Sequence, residues 1–239
     1  MIEMTKYSDP FEQAFLDFLN GETGKELAIY INNEFSENMP VSYFFRNIDE
    51  MPQLELIALK ECKGKILDIG AGAGCHSLIL QNKGYDVTAL DIKKGFVDIM
   101  KQRGIKNIVH SDIFNFNEGK FDTLLMLMNG IGFTVDFNGL TRFLNQAKDL
   151  LSPDGQILLD SSDLLYLYEE EDGSYKVPLT GDYYGKVVYQ VEYKNRKGEP
   201  FDWIFIDYST LEQYAENAGY NCELLFANDF HYLAKLTIS

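Results

Sequence analysis

The sequence predicts an α/β protein in which helices cover both faces of a seven-stranded, mostly parallel sheet. Short apolar segments alternate with helical segments from Lys65 onward, a pattern typical of parallel strands buried on both faces. The helical segments end at turn signals such as Gly84 and Gly104, which separate each helix from the next strand. Two further apolar segments flank Asn228 and Asp229, and they predict an antiparallel pair in which the last strand runs against the others.

The element boundaries follow from this alternation. The five parallel strands are predicted over residues 65–69, 86–91, 107–110, 121–128 and 155–161. The helices between them are predicted over residues 75–83, 94–103 and 140–151. The final antiparallel pair is predicted over residues 222–227 and 230–238.

The chain changes character near Lys63 and again near Asp163, and this divides it into parts. Residues 1–62 are predicted to form a helical N-terminal cap, with one helix starting at Asp9 and Pro10, a second over 25–33 and a third after Pro52. Residues 63–239 form the main domain. An inserted β-hairpin is expected within about residues 163–208, because alternating segments at 186–194 and 201–208 flank a turn.

Composition narrows the class of protein. The formal charge of −16, from 37 acidic and 21 basic residues, repels polyanions and therefore argues against a nucleic-acid substrate. The simpler interpretation of the acidic excess is that it only keeps the protein soluble. The sequence lacks both an apolar stretch of the roughly 18 residues that a membrane helix needs and a signal-peptide pattern, so we expect a cytoplasmic protein that does not enter membranes. Three cysteines without CxxC spacing argue against a disulfide framework and against a metal cluster.

The most informative segment is ILDIGAGAG at residues 66–74, a strand that leads into a glycine-rich turn at the start of a helix. Glycines are needed where a ligand contacts the backbone, since a Cβ atom would hold the ligand away. Nicotinamide-dependent dehydrogenases use a related turn and remain an alternative. Their fingerprint has glycine or alanine where this chain has Cys75, and an apolar residue where it has Asp68, so both positions disfavour them.

ILDIGAGAG resembles motif I of the class I S-adenosylmethionine-dependent methyltransferases, which have a Rossmann-like fold, and the order of elements matches that family over about residues 63–238. The resemblance implies S-adenosylmethionine as cofactor. It implies that the glycine turn contacts the methionine and ribose, that the strand ends bind ribose and adenine, and that Asp68 orients the turn and the cofactor's amino group. The cofactor-binding residues implied are Asp68, Gly70, Ala71, Gly72, Asp91, Ile92, Asp112, Ile113 and Asn129.

The roles differ along this set. The resemblance assigns Asp91 to the two ribose hydroxyls, with Ile92 on the adenine face. It assigns Asp112, with Ile113 beside it, to the adenine amino group, whereas capping of a helix is the simpler interpretation of Asp112. Asn129 is expected to face the methionine end and the methyl donor, or simply to turn the chain.

The class of methyl acceptor is less well defined by the sequence, because the NPPY-type pattern of some amine methyltransferases is absent. His231, at the start of the last strand, is the first candidate for a general base, and Asn129 joins it as a candidate catalytic residue. Arg46 could pair with the methionine carboxylate or with an anionic substrate. The expected lid or substrate wall, whose aromatic members could equally be core residues, consists of Tyr43, Phe44, Arg46, Tyr166, Tyr184 and Trp203.

We therefore expect an enzyme that methylates a small molecule. A protein that binds S-adenosylmethionine without turnover remains a second alternative. The methyl acceptor, the acceptor atom and the oligomeric state stay open.

Overall fold

The structure is a computed structural model, and it describes residues 7, 9–170, 172–176 and 182–239. The α-helices of this part are α1 (Pro10–Leu19), α2 (Gln53–Glu61), α3 (Cys75–Asn82), α4 (Lys94–Gln102), α5 (Phe137–Leu150) and α6 (Tyr208–Asn217). Its strands are β1 (Glu26–Ile31), β2 (Glu34–Pro40), β3 (Lys65–Ile69), β4 (Asp86–Asp91), β5 (Asn107–His110), β6 (Phe121–Met126), β7 (Leu151–Ser162), β8 (Lys186–Tyr193), β9 (Arg196–Lys197), β10 (Phe201–Ile204), β11 (Tyr220–Asn228) and β12 (His231–Ile238). Short 3-10 helices include Val41–Phe45, Ile113–Asn115, Gly130–Thr134 and Leu164–Tyr168.

The larger sheet has the strand order β11-β12-β7-β6-β3-β4-β5. Strands β3 to β7 run parallel, and β12 is antiparallel to both β7 and β11. This confirms the predicted α/β fold with seven strands and an antiparallel last strand. The chain adds β4 and β5 on one side of β3 and then crosses to β6 on the other. The carboxyl ends of β3 and β6 therefore border a crevice of the kind in which such sheets bind ligands.

A second sheet joins the N-terminal segment to the inserted hairpin, in the order β10-β8-β1-β2 with β9 paired to β8. The helix predicted over residues 25–33 is wrong, because β1 and β2 form an antiparallel hairpin there. Leu27 and Ile29 are buried on alternate positions of β1, and Asn32 and Asn33 take the positive φ angles (53° and 67°) that a tight hairpin turn requires. The N-terminal segment is therefore mixed rather than wholly helical.

The predicted inserted hairpin is present as β8 and β10, antiparallel to each other, although β10 ends at Ile204. Residues 1–6 and 8 of the predicted cap, and residues 171 and 177–181 of the insertion, lie outside the described residues. The division into residues 1–62 and 63–239 stays a prediction. Each described helix is too short or too polar to cross a membrane.

Helix α1 packs across the edge of the sheet that carries the glycine turn. Phe15 is 1% exposed, and its ring contacts Phe11, Phe44, Phe45 and Phe96 with centroids 4.8–5.3 Å apart. At the start of α4, the Gly95 N–H donates a 2.6 Å hydrogen bond to Glu12 of α1. The N-terminal segment is thus fastened to the strand ends that the sequence assigned to ligand binding.

Candidate cofactor and active site

The glycine turn after β3 exposes backbone without side chains. Gly70, Gly72 and Gly74 have φ angles of 73°, 56° and 75°, in the left-handed region that favours glycine. The N–H groups of Gly70 and Ala71 donate to the Leu90 carbonyl at 2.9 and 3.0 Å, which holds the turn against β4. A Cβ atom on Gly70 would meet no protein atom within 4 Å. Open space therefore lies directly beside this backbone.

Asp91 ends β4 and is tied to the turn. One of its oxygens accepts from the Gly72 N–H at 2.9 Å and the other from the Lys93 N–H at 2.8 Å. Burial raises the pKa of Asp91 to about 6, against the effect of these two hydrogen bonds. A carboxylate offers about four acceptor positions, so two remain for a ligand.

Asp68 lies one strand away, inside β3, and is only 2% exposed. It accepts a 2.6 Å hydrogen bond from the Ser77 hydroxyl, which joins β3 to α3. Burial raises the pKa of Asp68, although His76 and Ser77 act to lower it. The contact to Ser77 makes Asp68 a support of the turn.

The predicted adenine contacts have different surroundings. Asp112 accepts from the Phe114 N–H at 2.9 Å and so caps the 3-10 helix Ile113–Asn115. The Ile113 side chain is 5% exposed and packs in the core, whereas Ile92 is 62% exposed beside Asp91. Ile92 therefore offers the open apolar surface at this edge.

Asn129 lies just beyond β6 with a positive φ of 59°. Its N–H donates to Asp160 at 2.8 Å, and its side-chain oxygen accepts from the Ser161 hydroxyl at 2.7 Å. Its side-chain nitrogen, Nδ2, is buried and has no hydrogen-bond partner among the described residues. Buried donors rarely stay unpaired, so this nitrogen is available to a ligand.

Asp160 was missed by the sequence analysis, although it is the one acidic residue in the apolar segment 155–161. Burial raises its pKa to about 7, and nearby Glu55 raises it further while the Asn129 N–H and His76 lower it. The N–H of Asp160 itself also lowers this pKa. Asp160 therefore places a buried carboxyl group directly beside Asn129.

Arg46 is 6% exposed and belongs to a buried charged cluster. Its Nη2 atom donates to both Glu55 oxygens at 2.5 and 2.7 Å, and Glu55 also lies 2.7 Å from Nε2 of His76. The Tyr43 ring centroid is 3.5 Å from the guanidinium carbon. Glu55 was not predicted as a site residue. Its burial within α2 beside Leu54 and Ala58 is the feature that sets it apart.

The other predicted lid residues lie in separate places. Phe44 belongs to the aromatic cluster around Phe15. The Trp203 indole fills the space where a Cβ atom on Gly132 would stand, so it packs on the loop after Asn129.

Tyr184, Tyr166 and His231 are the remaining predictions. The Tyr184 hydroxyl donates to Asp163 at 2.7 Å, and the Tyr166 ring packs at a tilt against Phe230, with the ring centroids 5.1 Å apart. His231 is exposed, with its Nδ1 atom 2.7 Å from the Ser162 hydroxyl. Tyr166 and His231 therefore lie near the start of β12.

Comparison with known proteins identifies the family. A family profile described as "Methyltransferase domain" matches residues 67–159. The crystal structure of a SAM-dependent methyltransferase from Bacteroides fragilis, in complex with S-adenosyl-L-homocysteine, is 41% identical, covers 97% of this chain and 95% of that chain, and has a TM-score of 0.88.

Two curated relatives match over part of their length. The putative methyltransferase YqeM of Bacillus subtilis (strain 168) is 24% identical over 104 residues, which cover 41% of this chain and 42% of that protein. The ribosomal RNA small subunit methyltransferase C of Buchnera aphidicola subsp. Cinara cedri (strain Cc) is 31% identical over 110 residues, which cover 42% and 32%. The chain thus spans less than half the length of these two relatives. Its near full-length similarity to the Bacteroides enzyme shows that the chain belongs to the S-adenosylmethionine-dependent methyltransferases.

Proposed function

We propose that this protein transfers the methyl group of S-adenosylmethionine to a small-molecule acceptor. The observation that carries this proposal is the 2.9 Å hydrogen bond from the Gly72 N–H to Asp91. It joins a turn of bare backbone to a carboxylate at the carboxyl end of the neighbouring strand. Adenosine compounds need both features, a close backbone approach and an acceptor for a vicinal diol.

The residues at this edge fit the cofactor. Backbone of Gly70, Ala71 and Gly72 would lie against its methionine and ribose, because the space beside Gly70 is open. Asp91 would accept from the ribose hydroxyls with its two spare acceptor positions, and Asn129 would donate from its unpaired nitrogen. The remaining members of the proposed cradle are Asp68 supporting the turn, and Ile92, Asp112 and Ile113 around adenine.

The bound cofactor supplies a methyl group on a positively charged sulfur, so the protein need not form a covalent bond itself. Its own residues orient the two reactants and exclude water, and orientation can contribute about 7–11 kcal/mol in favourable cases. We assign this task to a wall formed by Tyr43, Phe44, Arg46, Tyr166, Tyr184 and Trp203. His231 is the proposed general base, since its ring is exposed while Nδ1 is held by Ser162.

The charge of −16 supports a small-molecule acceptor over RNA, because phosphate neutralisation dominates nucleic-acid affinity. One relative is named as a ribosomal RNA methyltransferase, so ribosomal RNA is the second acceptor to test beside small molecules. The three free cysteines are in keeping with the proposed cytoplasmic location.

Calorimetry with S-adenosylmethionine, S-adenosylhomocysteine and NAD tests the cofactor. We expect the first two to bind and NAD to give no heat. Transfer is then measured with methyl-labelled cofactor, using a metabolite extract and ribosomal RNA as separate acceptors. Label in the metabolite fraction supports the proposal, label in RNA contradicts the acceptor class, and binding without transfer favours the non-catalytic alternative.

A further inference from the structure

One face of the second sheet lies toward the proposed active site. On β8 this face carries Val187 and Tyr189, because side chains alternate between the two faces of a strand. Strand β10 places Trp203 opposite Val187, on the same face. The Trp203 indole packs on Gly132, in the loop that follows Asn129. This part of the face therefore lies beside the end of β6, where the methyl donor is proposed to bind.

Glu37 contributes a carboxylate to the same face. On β2 it lies opposite Ile29 of β1, and Ile29 lies opposite Val191 of β8. Directly paired residues of neighbouring strands project to the same side of a sheet, so Glu37 shares the face of Val191 and Tyr189. The Glu37 side chain is exposed, and its carboxylate forms no ion pair or hydrogen bond with the described residues. Its negative charge is therefore available to a ligand.

Two tyrosine side chains lie within electrostatic range of this carboxylate. Burial raises the pKa of Tyr189, and the charge of Glu37 raises it further. The same two effects, in the same order, raise the pKa of Tyr166, whose side chain is 42% exposed. Tyr166 belongs to the 3-10 helix that follows β7, at the carboxyl edge of the larger sheet. Glu37 and the two rings come from three separate elements and converge at this edge.

The strands beside Glu37 add no positive charge to this face. Because an anionic acceptor would meet the Glu37 carboxylate without a compensating cation, it would be repelled, whereas a cation would be attracted. Aromatic faces also attract cations, and the net charge of −16 acts in the same direction. The residues that β1, β8 and β10 present on this face are all uncharged: Leu27, Ile29, Ile31, Val187, Tyr189, Val191, Tyr193, Phe201 and Trp203.

We propose that the methyl acceptor is a cationic amine, and that Glu37 binds its positive charge beside the rings of Tyr166 and Tyr189. This inference rests on the proposed function and narrows its acceptor class. Glu37 lies on β2, outside the glycine turn and the strand ends proposed to bind the cofactor. Its removal should therefore affect the acceptor and spare the cofactor.

The experiment first establishes the charge of the acceptor. The metabolite extract is separated by ion exchange at pH 7 into cationic, neutral and anionic fractions, and each fraction is incubated with the wild-type protein and methyl-labelled S-adenosylmethionine. We expect most of the label in the cationic fraction. Raised salt should increase the apparent KM for this fraction, because ions screen the attraction between Glu37 and the amine.

Glu37→Gln then removes the charge and keeps the size of the side chain. We expect transfer to the cationic fraction, at limiting acceptor, to fall about fivefold, which is the upper range for one exposed ion pair. The salt dependence of KM should weaken as well, a change that a purely structural role would not produce. Glu37→Lys reverses the charge and should lower transfer further.

Glu26→Gln is the matched control. Glu26 is an exposed acid on β1 of the same sheet, but it alternates with Leu27 and so lies on the opposite face. This variant should keep wild-type transfer and salt dependence. Calorimetry with S-adenosylhomocysteine should give affinities within about twofold of wild type for the Glu37 variants, since the cofactor site is intact.

Label mainly in the neutral or anionic fraction would overturn the cationic acceptor. Unchanged transfer by Glu37→Gln, or an equal loss in Glu26→Gln, would overturn the role of Glu37. If the wild type labels no fraction, or does not bind S-adenosylmethionine, the proposed methyl transfer itself fails. The failure of this inference and the failure of the proposed function are therefore distinguishable.

Discussion

The Asn129 N–H donates a 2.8 Å hydrogen bond to Asp160, and this contact joins the ends of β6 and β7. Asn129 and Met128 before it both have positive φ angles, 59° and 61°, so the backbone leaves the extended conformation here. The strand consequently ends at Met126, two residues before the sequence predicts. The same turn leaves the buried Asn129 side-chain nitrogen free for a ligand.

Asp160→Asn should stabilise the protein at high pH. The folded-state pKa of Asp160 is about 7, whereas an unfolded aspartate titrates near about 3.9. Between these values the folded state holds a proton that the unfolded state lacks, so stability falls as pH rises through this window. Asparagine keeps an oxygen for the Asn129 N–H and cannot ionise. We expect the melting temperature of the variant to exceed that of wild type at pH 8, with a smaller difference at pH 5.

Asp122→Asn is the control, because the pKa of Asp122 is shifted in the opposite direction from that of Asp160. Hydrogen bonds from Ser152 and from the Lys65 N–H lower the pKa of Asp122, so its ionised form stabilises the fold. This variant should be less stable than wild type at pH 8. An equal shift of Asp160→Asn at both pH values would contradict the burial effect.

Gly70→Ala should impair cofactor binding more than folding. The new methyl group meets no protein atom within 4 Å, but it enters the space proposed for the cofactor. The positive φ of 73° adds about 1–2 kcal/mol of backbone strain. We expect S-adenosylhomocysteine affinity, measured by calorimetry, to fall at least tenfold.

Gly84→Ala is the control that separates backbone strain from obstruction of the proposed cofactor site. Gly84 also has a positive φ (93°) and open surroundings, but it follows α3 away from the crevice. A similar loss of thermal stability with unchanged affinity is expected. Equal affinities for the two variants would argue that the space beside Gly70 is not used.

Asp91→Ala should weaken S-adenosylhomocysteine binding by at least tenfold, because it removes charge-assisted hydrogen bonds of about 1.5–3 kcal/mol each. In wild type, affinity should also decline as pH falls through about 6, where Asp91 takes up a proton. Asp86→Ala, at the exposed start of the same strand, serves as the control. An unchanged dissociation constant for Asp91→Ala would rule out the ribose role.

Phe15→Ala should destabilise the fold by about 3–5 kcal/mol, since it opens a cavity beneath four aromatic rings. Phe15 also lies 3.9 Å from the position of a Cβ atom on Gly72, so cofactor affinity should fall too. Phe35→Ala, at a residue 58% exposed on β2, should change the unfolding free energy by less than about 0.5 kcal/mol. Denaturant unfolding measures both variants.

Local pattern alone determined the parallel core. The predicted bounds of β3, β4 and β5 match the structure, because each of these short segments alternates with a helical segment that ends at a glycine turn. The glycine turn and the carboxylate after it are likewise local, so the sequence predicted the elements around Asp91 directly.

Tertiary structure decided what depends on distant partners. Residues 26–31 form a strand because β8, far along the chain, supplies its hydrogen bonds, and a short apolar segment alone does not distinguish helix from strand. The contacts of Arg46 with Glu55 and His76, and of Asn129 with Asp160, likewise join separate elements. Burial and pairing of charges arise only when the chain has folded, and for that reason the partners of Glu55 and Asp160 became apparent only in three dimensions.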